Sequence, residues 1–386
     1  MRALPLYVGF AVTGIGVALP GALLPTLLVR WHLGDAQAGQ LFFAAWVGSA
    51  LGSLAVRGSL RTMLMLGSML IVCAALCIAY SEDYGANAWL GLYGFGLGMT
   101  MTATSLTRQQ QVVTAGGSTG TEMVRLNSTW AAGACICPVL TARALALGSI
   151  RPLLFGLAIF FTMLAVWAAS QADLRTTSVA KSLPWSVLKT TPRGLICMVF
   201  FATGIEAATG GWLTTYTRRG GDSVAATVAA LTCFWAGLMV SRIFWSVFDR
   251  WLTHDYVVRL SVGLMVISST LLVAAGRGPV LALAAFLLGF GIGPAYPLLL
   301  AWALRFQRAG SIFFVAGVGS ASLPWLMGVV SARTGSLRIG FVVPMIGATI
   351  MLTLSLVLPL VAWSREDQTL THEPRQQATS AGESFN

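Results

Sequence analysis

The chain has 386 residues, 56% of them hydrophobic and only 10% charged, with a mean hydropathy of +0.78. A soluble domain carries about 25% charged residues, and here the deficit runs the whole length, which excludes a soluble globular fold and implies a lipid-embedded one. The formal charge of +11 does not signal nucleic acid, because the basic residues sit singly in short loops between apolar runs and form no stripe.

A bilayer-spanning helix needs about 20 mostly apolar residues. In chain order, segments of that kind run Leu4–Val29, Ala38–Val56, Met63–Tyr80, Ala88–Leu106, Leu126–Leu147 and Pro152–Ser170. A polar stretch, Gln171–Arg193, holds the only two lysines, Lys181 and Lys189. Six further segments follow: Gly194–Tyr216, Val224–Phe248, Val257–Gly276, Val280–Leu304, Ser311–Ala332 and Phe341–Trp363. The organisation expected is a six-helix bundle over 1–170, a cytoplasmic linker over 171–193, a second bundle over 194–363 and a disordered tail over 364–386. With both termini cytoplasmic, that side receives sixteen of the 24 Lys and Arg residues, so the positive-inside rule favours this orientation in a plasma membrane. The first segment is too long for a signal-peptide core and reads as a retained helix.

The two halves resemble each other at an offset between 186 and 195 residues. Thr13-Gly14-Ile15 recurs as Thr203-Gly204-Ile205, and Trp46-Val47-Gly48 as Trp235-Ala236-Gly237. Gly94-Phe95-Gly96-Leu97-Gly98 returns as Gly289-Phe290-Gly291-Ile292-Gly293. Gly133 precedes Pro138 as Gly319 precedes Pro324, and Ser149-Ile150-Arg151 matches Ser336-Leu337-Arg338. Two parallel six-helix repeats joined by a polar linker form a transporter architecture, all-α and membrane-embedded, with solute bound near the midplane between the halves. The glycine runs are not phosphate-binding turns, because they lie inside apolar helices without a preceding strand; close helix packing or a hinge is the expectation.

Three segments stand out: Gly204-Ile205-Glu206-Ala207-Ala208-Thr209-Gly210-Gly211-Trp212-Leu213, Gly293-Pro294-Ala295-Tyr296-Pro297, and Arg333-Thr334-Gly335-Ser336-Leu337-Arg338. They resemble the major facilitator superfamily and, within it, the fucose/glucose/galactose–proton symporter-like group, the first segment being similar to the acidic Gly-Gly-Trp helix of its sodium-dependent glucose transporter-like members. The superfamily's loop signature after the second helix survives in degraded form around Arg57 and Arg61, with Val56 where the family has an acid. Its second copy keeps Arg242, Asp249 and Arg250. The resemblance implies alternating-access transport by a monomer. Fucose–proton symporters of this group use acids in their first and fourth helices, which this chain lacks, so coupling to protons, coupling to sodium and uncoupled transport all stay open.

Acids inside a membrane are costly and therefore informative. Glu206 alone among the acids sits deep in a span, thirteen residues beyond Arg193 and so roughly 20 Å along the helix. It is the candidate coupling carboxylate and a candidate solute ligand. Thr102, Thr209, Trp212, Tyr296 and Asn127 are further solute-binding candidates, with Thr13 and Thr104 behind them; hydroxyl-rich sugars suit such a mixture of polar groups and aromatic faces. A threonine in a membrane helix equally satisfies itself by bonding its own preceding turn. Arg57, Arg108, Arg242 and Asp249 are candidate gating charges. The six cysteines lie in apolar segments without His at metal spacing, and the three histidines are scattered, so neither a metal site, a cofactor nor an enzyme's catalytic set is expected. The leading expectation is transport of a small polar solute, a sugar first. A drug or metabolite exporter and a non-transporting sensor are the alternatives.

Overall fold

The computed structural model describes residues 3–83, 85–115, 119–171, 176–177, 191–248, 252–306 and 309–360. With no water to bond the backbone inside a bilayer, apolar runs of this length close their hydrogen bonds internally as helices. In the first half these are α1 Leu4–Arg30, α2 Asp35–Ala55, α3 Leu60–Tyr80, α4 Ala86–Thr114, α5 Thr119–Ala146 and α6 Arg151–Ser170. The second half has α7 Arg193–Arg219, α8 Val224–Phe248, α9 His254–Ala275, α10 Pro279–Phe306 and α11 Ala309–Thr334. It ends in the short α12 Leu337–Gly340 and α13 Val342–Val357, which together make one span. Eleven helical spans among the described residues are long and apolar enough to cross a membrane. The exception, α4, has the length at 29 residues, but its glycines and threonines dilute its hydropathy. The chain is a multi-pass membrane protein.

The helices overrun the apolar segments at most ends. The α4 helix continues to Thr114 and α5 starts at Thr119, so Gln109–Gln111 and Glu122 are helical, not loop. The last span begins at Leu337 and changes helix at Phe341. A two-residue strand, Gly58–Ser59, pairs antiparallel with Thr176–Thr177, tying the loop after α2 to the polar linker. The tail over 364–386, most of the linker, and Asp249 and Arg250 lie outside the described residues.

Packing repeats with the sequence. In the first half α1 lies against α5, α2 and α3 against α4, and α3 against α6; in the second, α7 lies against α11, α8 and α9 against α10, and α9 against α13. The halves meet through α2 on α11, α5 on α8 and α1 on α7, which is the pattern of a pseudo-twofold axis.

The repeated residues explain themselves in this packing. A Cβ at Gly94 or Gly98 would overlap the backbone carbonyl of Ala45 or Ser49 in α2, while Gly96 faces Gly67 and Ile71 of α3. The second copy does the same, with Gly289 against Phe234 and Gly293 against Ser241 in α8, and Gly291 against Ser261 of α9. Each glycine triplet therefore lets one helix touch two neighbours, backbone to backbone, as expected of small residues in membranes. Gly14 and Gly133 form the α1–α5 crossing, and Gly204 and Gly319 form its copy between α7 and α11. The arginines of the Ser-x-Arg matches cap the ends of neighbouring helices. Gly148 and Gly335 turn the chain at φ +85° and +68°, after which Arg151 donates to the Ala79 carbonyl of α3 (3.3 Å) and Arg338 to the Val273 carbonyl of α9 (2.6 Å). A cation on the last carbonyls of a helix satisfies acceptors that have no intrahelical donor.

Candidate functional site

A cavity of about 30 Å³ lies at the crossing of α1, α2, α4, α7 and α8, where both halves contribute walls. That is room for roughly two water molecules, far below the about 300–1,000 Å³ of a ligand-filled site, so the halves are almost closed on each other. From the first half, Gly16 and Gly21 of α1, Phe42, Trp46 and Ser49 of α2, and Tyr93 of α4 reach it; from the second, Gly210 of α7 and Trp235 of α8 do. Every lining side chain is uncharged and most are apolar. The repeat mates Trp46 and Trp235 thus face one space from opposite halves.

The end away from the termini is latched. Asp35, at the start of α2, accepts two bonds from the Arg219 guanidinium at the end of α7, at 2.7 and 2.6 Å. Ser331 of α11 donates to the same carboxylate at 2.5 Å. One turn deeper, Gly39 and Gly328 let α2 and α11 touch, and Phe43 packs on Trp325 with ring centroids 6.1 Å apart. Deeper still, Gly21 meets Gly210, and the Thr214 hydroxyl donates to the Gly21 carbonyl at 2.5 Å.

Toward the other end lies a second polar layer. Glu206 of α7 is one turn from Gly210, and its carboxylate interacts electrostatically with Arg242 of α8, as does the Tyr296 hydroxyl of α10 with both. Arg242 also donates to the Gly293 carbonyl at 3.4 Å and lies 5.7 Å over the Trp130 ring. Helical spacing sets this layer: Trp235 and Arg242 are seven residues apart on α8 and share a face.

A third cluster sits at the end bearing the termini, inside the first half. The Glu122 carboxylate of α5 takes Arg108 Nε at 2.8 Å and Nη2 at 2.5 Å, and the Tyr7 hydroxyl of α1 donates to it as well. Arg108 further donates to Gln111 at 2.6 Å and lies 5.1 Å over the Tyr7 ring. Glu122 precedes the apolar span Arg125–Ala146. Burial alone would raise its pKa, but the bonds from Tyr7 and Arg108 and the charges of Arg108 and Arg125 outweigh it and hold the carboxyl below the usual range.

No protein-family model matches the chain. "Bypass of stop codon protein 6" of Saccharomyces cerevisiae is 24% identical over 383 residues, spanning 84% of this chain and 76% of that protein. Among solved structures, the nucleoside transporter NupG superposes with a TM-score of 0.70 at 12% identity, over 91% of this chain and 98% of that one. FucP, a Major Facilitator Superfamily transporter caught in the outward conformation, gives a TM-score of 0.66 at 17% identity, over 92% and 98%. The chain has the major facilitator fold.

Within that fold the expected site residues separate. Glu206, Arg242 and half-buried Tyr296 come together. Trp212 is fully buried, donates to the Pro324 carbonyl at 2.9 Å and packs tilted against Phe42 with centroids 5.8 Å apart, so it braces α7 against α11 and α2 outside the cavity wall. Thr209 is fully buried with an unpartnered hydroxyl, and Thr102 is half-buried. Thr13 and Thr104 bond back to Phe10 and Thr100 of their own helices. Asn127 is exposed and donates to the Met123 carbonyl at 2.8 Å. Arg57 is exposed, and Arg108 pairs inside its own half and does not reach the other. Among the described residues no three His, Cys, Asp or Glu side chains gather to hold a metal.

Sequence reasoning missed Glu122, the Asp35–Arg219–Ser331 latch, and Phe42 and Tyr93 as cavity walls. Trp46 and Trp235 were visible only as marks of the repeat; that both copies of a twofold-related element carry the same aromatic was the one signal pointing to them.

Proposed function

We propose that this protein is a secondary transporter, moving a small neutral polar solute, a sugar first, across the membrane by alternating access. The observation that carries the reading is the uncharged aromatic cavity between two repeat-related halves, latched at one end by Asp35, Arg219 and Ser331. A cavity of about 30 Å³ admits no sugar as it stands, so the halves must part to load it, and parting them on one side at a time is alternating access. Sugar fits the walls, because a pyranose has an apolar face for an indole ring and hydroxyls for its N–H. FucP is described as a fucose:proton symporter and NupG as a nucleoside transporter, which agrees with a neutral, ring-shaped cargo.

Glu206 is the proposed coupling carboxylate, with Arg242 and Tyr296 as its partners, and Thr209 and Thr102 stay proposed solute contacts. Arg57, Arg108, Asp249 and Asn127 remain candidate contacts of the gating or solute pathway. The bundles over 1–170 and 194–363 act as the two rocking units, in a plasma-membrane monomer whose termini are cytoplasmic. One observation favours a second reading: the mostly apolar walls also suit export of an amphipathic drug or metabolite.

Uptake of radiolabelled hexoses into proteoliposomes, under imposed proton, sodium or no gradient and alongside Glu206→Gln, tests the proposal. Saturable proton-dependent uptake that collapses in Glu206→Gln supports coupling at Glu206. Uptake indifferent to gradients reduces Glu206 to a binding group, and no hexose flux under any condition hands the cavity to the exporter reading.

A further inference from the structure

Two indole N–H groups are buried without acceptors at the place where α5 crosses α8. Trp235 is 3% exposed and Trp130 6%, and neither Nε1 has a hydrogen-bond partner. The rings meet edge to face with centroids 5.8 Å apart and planes at 83°. An edge-to-face pair lets at most one of the two N–H groups point at the other's ring, and a ring face is a weak acceptor. At least one donor therefore stays unpaired, and a buried unpaired donor is uncommon enough to require a reason.

Trp235 lines the cavity, where Trp130 does not. Its position is fixed from three sides. Trp130 abuts it from α5, Phe234 packs against it at 4.9 Å, and the benzo edge lies so close to Gly210 that a Cβ there would come within 2.8 Å of Cζ2. The indole thus cannot swing to find an acceptor in the protein. The other polar groups of the wall are few: the Tyr93 hydroxyl already donates to the Gly16 carbonyl at 3.1 Å, and Ser49 supplies one more hydroxyl. No charge lines the space.

We infer that the Trp235 N–H is the specificity-determining donor of the cavity, binding one hydroxyl or ring oxygen of a neutral cyclic polyol whose apolar face rests on Trp46. This rests on the sugar reading above and names the group that recognises the sugar. Trp130 is a positioning residue that holds the indole in place.

The test is equilibrium binding of radiolabelled D-glucose and its monodeoxy analogues to the purified full chain, wild type and Trp235→Phe. Phenylalanine keeps an aromatic wall and removes the donor. One well-made buried hydrogen bond corresponds to about a tenfold change in affinity. The expected result is that Trp235→Phe weakens D-glucose about tenfold, while one deoxy analogue, already weakened in the wild type, is unaffected by the substitution. Trp235→His, which restores a ring N–H, recovers part of the loss, and this readout also covers the case in which Trp235→Phe does not fold. Glucose binding unchanged in Trp235→Phe, or a loss shared equally by every deoxy analogue, overturns the inference and leaves the sugar reading standing. No binding of any of these sugars to the wild type overturns both.

Discussion

Asp35 and Arg219, 184 residues apart in sequence, close one end of the interface between the two halves with a two-pronged ion pair at 2.7 and 2.6 Å. Asp35 is nearly buried and Arg219 is about half exposed, with side-chain exposures of 11% and 45%. Solvent screens a pair of this kind, so its worth is about 1 kcal/mol, enough to shift a two-state equilibrium about fivefold. A pair of that strength is readily broken and remade.

Removing the latch should expose the cavity from that end. In a background with the six native cysteines replaced, Ser49→Cys reports access, because Ser49 lines the cavity. Adding Asp35→Asn is expected to raise the rate of labelling by a membrane-impermeant thiol reagent about fivefold. An unchanged rate would mean that the ion pair does not hold the end shut.

The glycine triplets predict a sharp contrast between substitutions. Alanine at Gly94 or Gly289 drives a methyl group into a backbone carbonyl that cannot move aside, and each should cost about 2 kcal/mol or more. Gly156→Ala in α6 meets nothing within 4 Å and should be neutral or stabilise by about 0.5–1 kcal/mol through helix propensity. Melting temperatures in detergent separate the two classes. Similar melting temperatures for Gly94→Ala and Gly156→Ala would refute the packing account of the triplets.

The cluster of Tyr7, Arg108 and Glu122 makes stability depend on acid. The Glu122 carboxyl is held below its usual value of 4.5, so its contribution is complete above that value and is lost as pH falls through the lower folded value. Glu122→Ala leaves Arg108 buried without its partner and should cost about 3 kcal/mol at neutral pH. The melting temperature of the wild type should be level from neutral pH to about 5 and fall below it, and the fall should be smaller in Glu122→Ala. A variant that loses stability equally at all pH values would show that the carboxylate's ionisation is not what the cluster uses.

The twelve spans and the repeat were legible because both are written in apolar length and in residues that recur at fixed offset. Gly94 and Gly289 could be read as packing glycines from their apolar surroundings alone. The helix ends were not legible. Hydropathy stops where polar residues begin, yet α4 and α5 continue into the interfacial region, so Glu122 looked like loop. The break at Phe341 and the pairing of Gly58–Ser59 with Thr176–Thr177 depend on contacts that no local pattern encodes. Of the candidate site, Glu206 stood out because a carboxylate deep in an apolar run is costly to keep. Trp212 was indistinguishable from a wall residue until its bond to Pro324 placed it in the scaffold, and Asp35 and Arg219 looked like ordinary interfacial charges until the fold joined them.

Alternating access between the two halves is tested most directly by locking the latched end. Asp35→Cys with Ser331→Cys, in the background without native cysteines, places two thiols where a carboxylate and a hydroxyl now meet at 2.5 Å. Hexose uptake into proteoliposomes would be measured after oxidation to the disulfide and again after reduction. The prediction is saturable uptake in the reduced protein, its loss on oxidation and its return with a reducing agent. Uptake that proceeds equally with the disulfide closed would contradict the claim that the halves must part at this end for solute to pass.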